Sequence, residues 1–218
     1  SGKTGRIIAL ITPDGQRTFC ANLGVSEKCT QVRELAFKSS KIFFLTSITL
    51  ACGKPVSKLA KKYLSLAKKY GKIVALSIES APMVEKNRKP LLEAIGKYAE
   101  VLFMNEEEAE ALLGENADRQ LAKLKPEIPV YLKNGPHGSH LFLEGRKHRI
   151  TALPANVIDT TGAGDAYAAG VLYGLSRKYS PLGSAKIGCM LATKVVQKLG
   201  AGIPHAHTRI RIVHGKKH

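Results

Sequence analysis

The chain has 218 residues, with 34 Lys plus Arg against 17 Asp plus Glu and a formal net charge of +17. A hydrophobic content of 44% excludes a disordered chain. The longest apolar runs, such as Ile7–Ile11 and Ile42–Leu45, are strand length and far short of the ~20 residues a membrane helix needs. The charge raises a polyanionic partner against the plainer alternative of a lysine-rich soluble surface.

In chain order, Arg6–Thr12 is apolar and β-branched and predicts a strand. Pro13-Asp14-Gly15 is turn chemistry, with Gln16–Leu23 as the returning arm of a hairpin. Lys41–Leu50 predicts a further strand, and Pro55–Tyr70 a helix with Val56, Leu59, Ala60, Tyr63, Leu64, Leu66 and Ala67 at helical spacing, closed by Gly71. Strand Lys72–Ile78, helix Val84–Ala99 and strand Val101–Met104 follow, then a helix over Asn105–Leu113 with Asn105 as its N-cap. Ile128–Leu132 and Ser139–Leu143 predict strands around a Gly135–Gly138 turn, Pro154–Ile158 is strand-like, and Thr161–Arg177 and Pro181–Leu199 predict the last helices. This alternation predicts an α/β domain with a mainly parallel sheet, without internal repeat, linker or domain boundary.

Cys20, Cys29, Cys52 and Cys189 have neither zinc nor disulfide-scaffold spacing. They are expected to be reduced, mostly buried thiols in a cytoplasmic compartment, and the first residues lack the pattern of a cleavable signal. His205 and His207 would share a strand face, but with no third ligand a solvated tail is the better reading. Basic residues crowd one helix (Lys54, Lys58, Lys61, Lys62, Lys68 and Lys69, with Lys72) and the tail (Arg209, Arg211, Lys216, Lys217), whereas nine of the 17 acids lie between Glu85 and Asp118. Tyr63 and Tyr70 belong to the apolar stripe, so the helix lacks a base-stacking platform. A weak, backbone-only affinity for nucleic acid is the most that this pattern supports.

The most informative stretch is Asp159-Thr160-Thr161-Gly162-Ala163-Gly164-Asp165, leading into a long apolar helix. A Gly-Ala-Gly turn at a helix start exposes backbone N–H groups, and the helix dipole adds about half a positive charge there. Gly162, Ala163 and Gly164 thus predict an anion hole, and Asp165 stands where a carboxylate can take a proton from a substrate hydroxyl. A glycine-rich turn alone would be an ordinary structural feature; the whole string is far more specific.

The string resembles the C-terminal signature of the PfkB (ribokinase-like) family of carbohydrate and nucleoside kinases. Asn105-Glu106-Glu107-Glu108 is similar to that family's N-x-x-E element, which implies that Asn105 and Glu108 arrange Mg²⁺, with Glu108 acting through water. Leu132-Lys133-Asn134-Gly135-Pro136-His137-Gly138 resembles its ATP-contacting strand and turn, implying nucleotide contacts at Lys133, Gly135 and Gly138, though Asn134 and Pro136 are less typical. Asp159, Thr160 and Thr161 are carried over as nucleotide-binding positions, and Gly188–Pro204 looks like the helix and turn lining the adenine pocket. Thr12–Phe19 with Ala21–Gly24, and Ser80-Ala81-Pro82-Met83, are similar to the adenosine-kinase-like branch. There Arg17 would clamp the transferred phosphate; read on its own it is equally an exposed hairpin arginine. Thr46-Ser47-Ile48 departs from the family's usual acidic-glycine-aromatic pattern.

The resemblance implies a ribokinase-like three-layer α/β/α sandwich over 1–218, incomplete at its N-terminus, with 1–25 as a remnant of the lid hairpin. It implies ATP and Mg²⁺ as cofactors, allows a monovalent cation such as K⁺, and implies transfer of phosphate to a hydroxyl of a nucleoside or sugar, adenosine or ribose-like first. Ser1-Gly2-Lys3-Thr4 ends like a Walker A loop but lacks its upstream glycine and strand. The early strands, most of the lid and the substrate-gripping aspartate of the family are not in the chain, so it reads as either a fragment or a shortened relative. An incomplete sheet is expected to need a second copy, a partner or the missing segment for full stability. The alternative function is a non-catalytic, kinase-derived binding module in a larger assembly, RNA-associated through its basic surface.

Overall fold

A computed structural model describes residues 2–11, 17–30 and 34–202. Strands β1 (Thr4–Ile11) and β2 (Arg17–Gly24) pair antiparallel, with Ile8 opposite Cys20, as a separate two-stranded sheet. The connecting turn, residues 12–16, lies outside the described residues. After a 3-10 turn at Val25–Lys28 come α1 (Leu35–Ser39), β3 (Ile42–Thr46), α2 (Ser47–Ala51), α3 (Lys54–Lys69) and β4 (Ile73–Ser77). Next are α4 (Ala81–Lys86), α5 (Arg88–Tyr98), β5 (Val101–Asn105), α6 (Glu106–Leu113), α7 (Ala117–Leu124) and β6 (Val130–Lys133). A second 3-10 turn leads to β7 (Ser139–Leu143), β8 (Arg146–Ile150), α8 (Ala163–Ser176) and α9 (Pro181–Val196).

The main sheet has the order β3-β4-β5-β6-β7-β8, parallel from β3 to β6 and antiparallel beyond. The expected mainly parallel α/β sheet is therefore found. Central strands are apolar on both faces because helices cover both. Alternate residues divide the core: Val74, Leu76, Leu102, Met104 and Leu132 face one helical layer, and Ala75, Val101, Phe103 and Tyr131 face α8 and α9. Phe103 stacks on Tyr131 at 5.2 Å between ring centres, and Tyr167 of α8 meets both edge-on. Helices α8 and α9 cross closely because glycines face each other: a Cβ on Gly170 would lie 2.7 Å from the Gly188 Cα.

Four local expectations are corrected. The strand expected over Lys41–Leu50 stops at Thr46, and Ser47 opens a short helix. An apolar, β-branched run cannot by itself reveal that switch. The helix expected over Val84–Ala99 is two helices broken at Asn87. Pro90 would remove a donor and clash one turn back in a continuous helix. Residues 154–158 form no strand, in keeping with the missing donor at Pro154. Strand β8 and helix α7 were not foreseen; β8, Arg-Lys-His-Arg-Ile, is exposed except for Ile150, so its charges hide the strand pattern. The thiols are also less buried than expected: Cys20 and Cys29 are exposed and Cys52 is half-buried, whereas Cys189 is buried. His205 and His207 lie outside the described residues.

Candidate active site

The Asp159–Asp165 turn is tied down by its first residue. One Asp159 carboxylate oxygen accepts from the Thr161 N–H at 2.9 Å and the Thr161 hydroxyl at 2.7 Å. The other accepts from the Gly200 N–H at 2.9 Å, joining the turn to the end of α9. Gly162 then takes a left-handed conformation (φ 77°), and a Cβ there would fall 2.6 Å from that of Ala201. No side chain caps α8, so its N-terminus offers uncapped amides and a positive dipole end. The Ala163 N–H already donates to the Thr160 carbonyl at 3.2 Å. Asp165 lies in the first turn of α8 and is exposed. The Lys133 ammonium, from the end of β6, stands 3.4 Å from where a Cβ on Gly164 would be.

Asn105 and Glu108 form a reciprocal cap at the start of α6. The Glu108 N–H donates to the Asn105 side chain at 2.8 Å, and the Asn105 N–H donates to the Glu108 carboxylate at 2.7 Å. Glu108 is 7% exposed. Burial pushes its pKa up, opposed by Lys133 and by the backbone N–H groups of Asn105 and Ser80. Ser80 has a left-handed φ of 65°, an uncommon conformation for a residue with a side chain.

Sequence reasoning missed Glu79, just past the end of β4. Buried Ser47 holds its backbone from both sides, accepting from the Glu79 N–H at 2.8 Å and donating to the Glu79 carbonyl at 3.2 Å. Burial raises the Glu79 pKa first; Ser77 and Lys133 lower it, and the charges of Asp165 and Glu108 raise it further. The available signal was its place at the carboxyl end of a strand beside the N-x-x-E strand, where open α/β sheets form their crevices. Ser47 sits in the stretch that departs from the family pattern, and its role is to fix Glu79.

Four elements thus bring Glu79, Glu108, Lys133 and Asp165 into one electrostatic group. Beside it lies a cavity of about 550 Å³ whose lining includes Lys133, Gly135, Gly138, Leu153, Thr160 and Gly164. Lys133 and Gly164 form the seam between this mostly apolar cavity and the acidic crevice. Gly138 has φ 95°, and a Cβ on it would strike the Ile150 carbonyl oxygen at 2.1 Å, so that turn requires glycine. The buried Cys189 also lines the cavity, next to Ser139, which accepts from the Tyr167 hydroxyl at 2.8 Å. Among the described residues no three His, Cys, Asp or Glu side chains approach closely enough to cage a metal ion. The pair of carboxylates suits an ion held mainly by phosphates and water, as Mg²⁺ usually is. The Arg17 side chain lies outside the described residues.

Residues 1–209 match the family described as pfkB family carbohydrate kinase. The chain belongs to this family. Among its relatives, the 5-dehydro-2-deoxygluconokinase of Shouchella clausii is 31% identical over 171 residues, 74% of this chain and 52% of that protein. The adenosine kinase of Sinorhizobium meliloti superposes with a TM-score of 0.84 at 26% identity, over 91% of this chain and 62% of that one. The Thermotoga maritima ribokinase shares the fold, with a TM-score of 0.69 at 23% identity, over 92% of this chain and 66% of that one. The pfkB-family resemblance and the ribokinase-like fold expected from the sequence are both found. The chain spans about half the length of the curated pfkB relatives it matches. Among the described residues no helix is long and apolar enough to cross a membrane.

Proposed function

We propose that this pfkB-family chain transfers the γ-phosphate of ATP to a hydroxyl of a nucleoside or sugar. The observation that carries the reading is the seam: Lys133 beside Gly164 at the α8 N-terminus, between a nucleotide-sized cavity and a crevice holding Asp165. The base and sugar of ATP occupy the cavity, and the phosphates cross the seam. Asp165 takes the proton from the substrate hydroxyl as its oxygen bonds to the γ-phosphorus and the bond to the departing ADP oxygen breaks. Lys133 and the amides at the α8 start offset the charge gathering on the transferred group. Asn105, Glu108 and Glu79 orient the water shell on the phosphate side. Mg²⁺, when bound there, neutralises phosphate charge. The family resemblance adds Arg17 to this proposal as a further clamp on the transferred phosphate. The named relatives act on chemically different acceptors, a sugar acid in one and adenosine in another, and adenosine or a ribose-like sugar is the acceptor class proposed first.

The test is Asp165→Asn. Substrate-dependent ADP release, measured across a panel of nucleosides and sugars, should fall by about 10²–10⁴-fold while ATP binding persists. Near wild-type turnover in the variant would reject Asp165 as the base.

A further inference from the structure

Helix α3 displays more positive charge than phosphotransfer requires. Between Glu34 and Glu79 the chain has nine lysines and no Asp or Glu. Six of them, Lys54, Lys58, Lys61, Lys62, Lys68 and Lys69, belong to α3, and all six are exposed. At 3.6 residues per turn they fall within an arc of about 120°, opposite the buried Ala60, Leu64 and Ala67. Lys69 faces Glu34 at 3.6 Å; among the described residues no carboxylate stands within ion-pair distance of the other five.

We infer that this ridge is a docking surface for the backbone of double-stranded nucleic acid. Charge complementarity carries the inference. At 1.5 Å per residue the helix is about 24 Å long, which spans about seven phosphates of one duplex strand at 3.4 Å each. Six lysines spread along that length on one face supply a comparable number of charges. Tyr63 and Tyr70 pack against the core instead of facing out, so the ridge has no ring on which to stack an unpaired base. Binding is therefore independent of sequence. A lipid surface is a poorer fit, because the apolar side of α3 is buried in the core and unable to insert between headgroups. The surface is separate from the crevice and does not rest on the phosphotransfer reading.

The test uses the whole chain and labelled 20-base-pair RNA and DNA duplexes, followed by fluorescence anisotropy. Five to six phosphate contacts predict a slope of log affinity against log salt near −5 and a loss of about 10³-fold between 50 and 200 mM salt. Replacing Lys58, Lys61, Lys62 and Lys68 by Gln should make the slope shallower by about 4 units. The same four changed to Arg should retain binding, which separates lost charge from damage to the helix. Gln at Arg209, Arg211, Lys216 and Lys217 should leave most of the slope intact. The inference is overturned by no duplex binding at 50 mM salt, or by an unchanged slope in the helix variant. It is equally overturned if the tail variant alone abolishes binding, or if phosphatidylserine vesicles bind as tightly with the same lysine dependence.

Discussion

Glu108 uses one carboxylate to cap α6 beside Lys133. Burial is the leading influence on its pKa, and the shift is upward. The folded chain therefore holds this proton more tightly than the unfolded chain. Its contribution favours folding below the ordinary carboxylate value and is lost as pH rises through the window just above it. Glu79 is raised for the same leading reason, and its contribution has the same sign. Glu108→Gln keeps an acceptor but removes the titration, so its melting temperature should vary less than that of the wild type as pH rises through and above the ordinary carboxylate range. Parallel melting curves across that range would refute this assignment of the charge cost. The same scale separates two aspartates that look alike in one motif. Asp159 is spent on Thr161 and Gly200, whereas Asp165 lies exposed on the first turn of α8. That both belong to the turn leading into α8 was legible from the string, but this division of labour depends on where Gly200 arrives from α9.

At the scale of elements, the position of α8 depends on its crossing with α9. A methyl group on Gly170 would meet the Gly188 backbone at 2.7 Å, and one on Gly174 would meet the Ser184 hydroxyl at 2.5 Å. Backbone cannot yield as a flexible side chain can, so Gly170→Ala should cost about 1–3 kcal/mol. The cost is read as a lower urea midpoint, with weaker ATP binding if α8 shifts at the seam. An unchanged midpoint would mean the crossing adapts freely. The elements followed the sequence where the apolar pattern was unbroken, as a helical period in α3 and as short continuous runs in β4 and β5. They departed from it where a tertiary bond or a proline intervened. Ser47 turns from strand to helix while bonding Glu79, and the helix ahead of Pro90 breaks at Asn87.

For the whole molecule, the notable feature is exposed apolar surface on the edge strand β3 and on the hairpin. Among the described residues β3 hydrogen-bonds only to β4, and Phe44 on it is 38% exposed. On the hairpin Ile7, Ile8 and Leu10 are 66%, 63% and 55% exposed, and neighbours such as Ile7 and Ile8 point to opposite faces. Open edges and apolar faces of this kind favour association. Changing Ile7, Ile8 and Leu10 together to Thr should reduce self-association in sedimentation velocity while moving the melting temperature little, since exposed positions contribute little to the core. A large drop in melting temperature would mean that the hairpin is packed in solution. By itself the sequence determined the α/β alternation, the family and the glycine turn that carries Asp165, because these rest on local periodicity and a contiguous string. Tertiary structure alone decided that Glu79 joins the group around Lys133, that Lys133 sits at the seam and that burial raises the pKa of Glu79 and Glu108. Those facts require parallel strand ends to be set side by side, and the burial that shifts a carboxylate exists only once distant elements close over it.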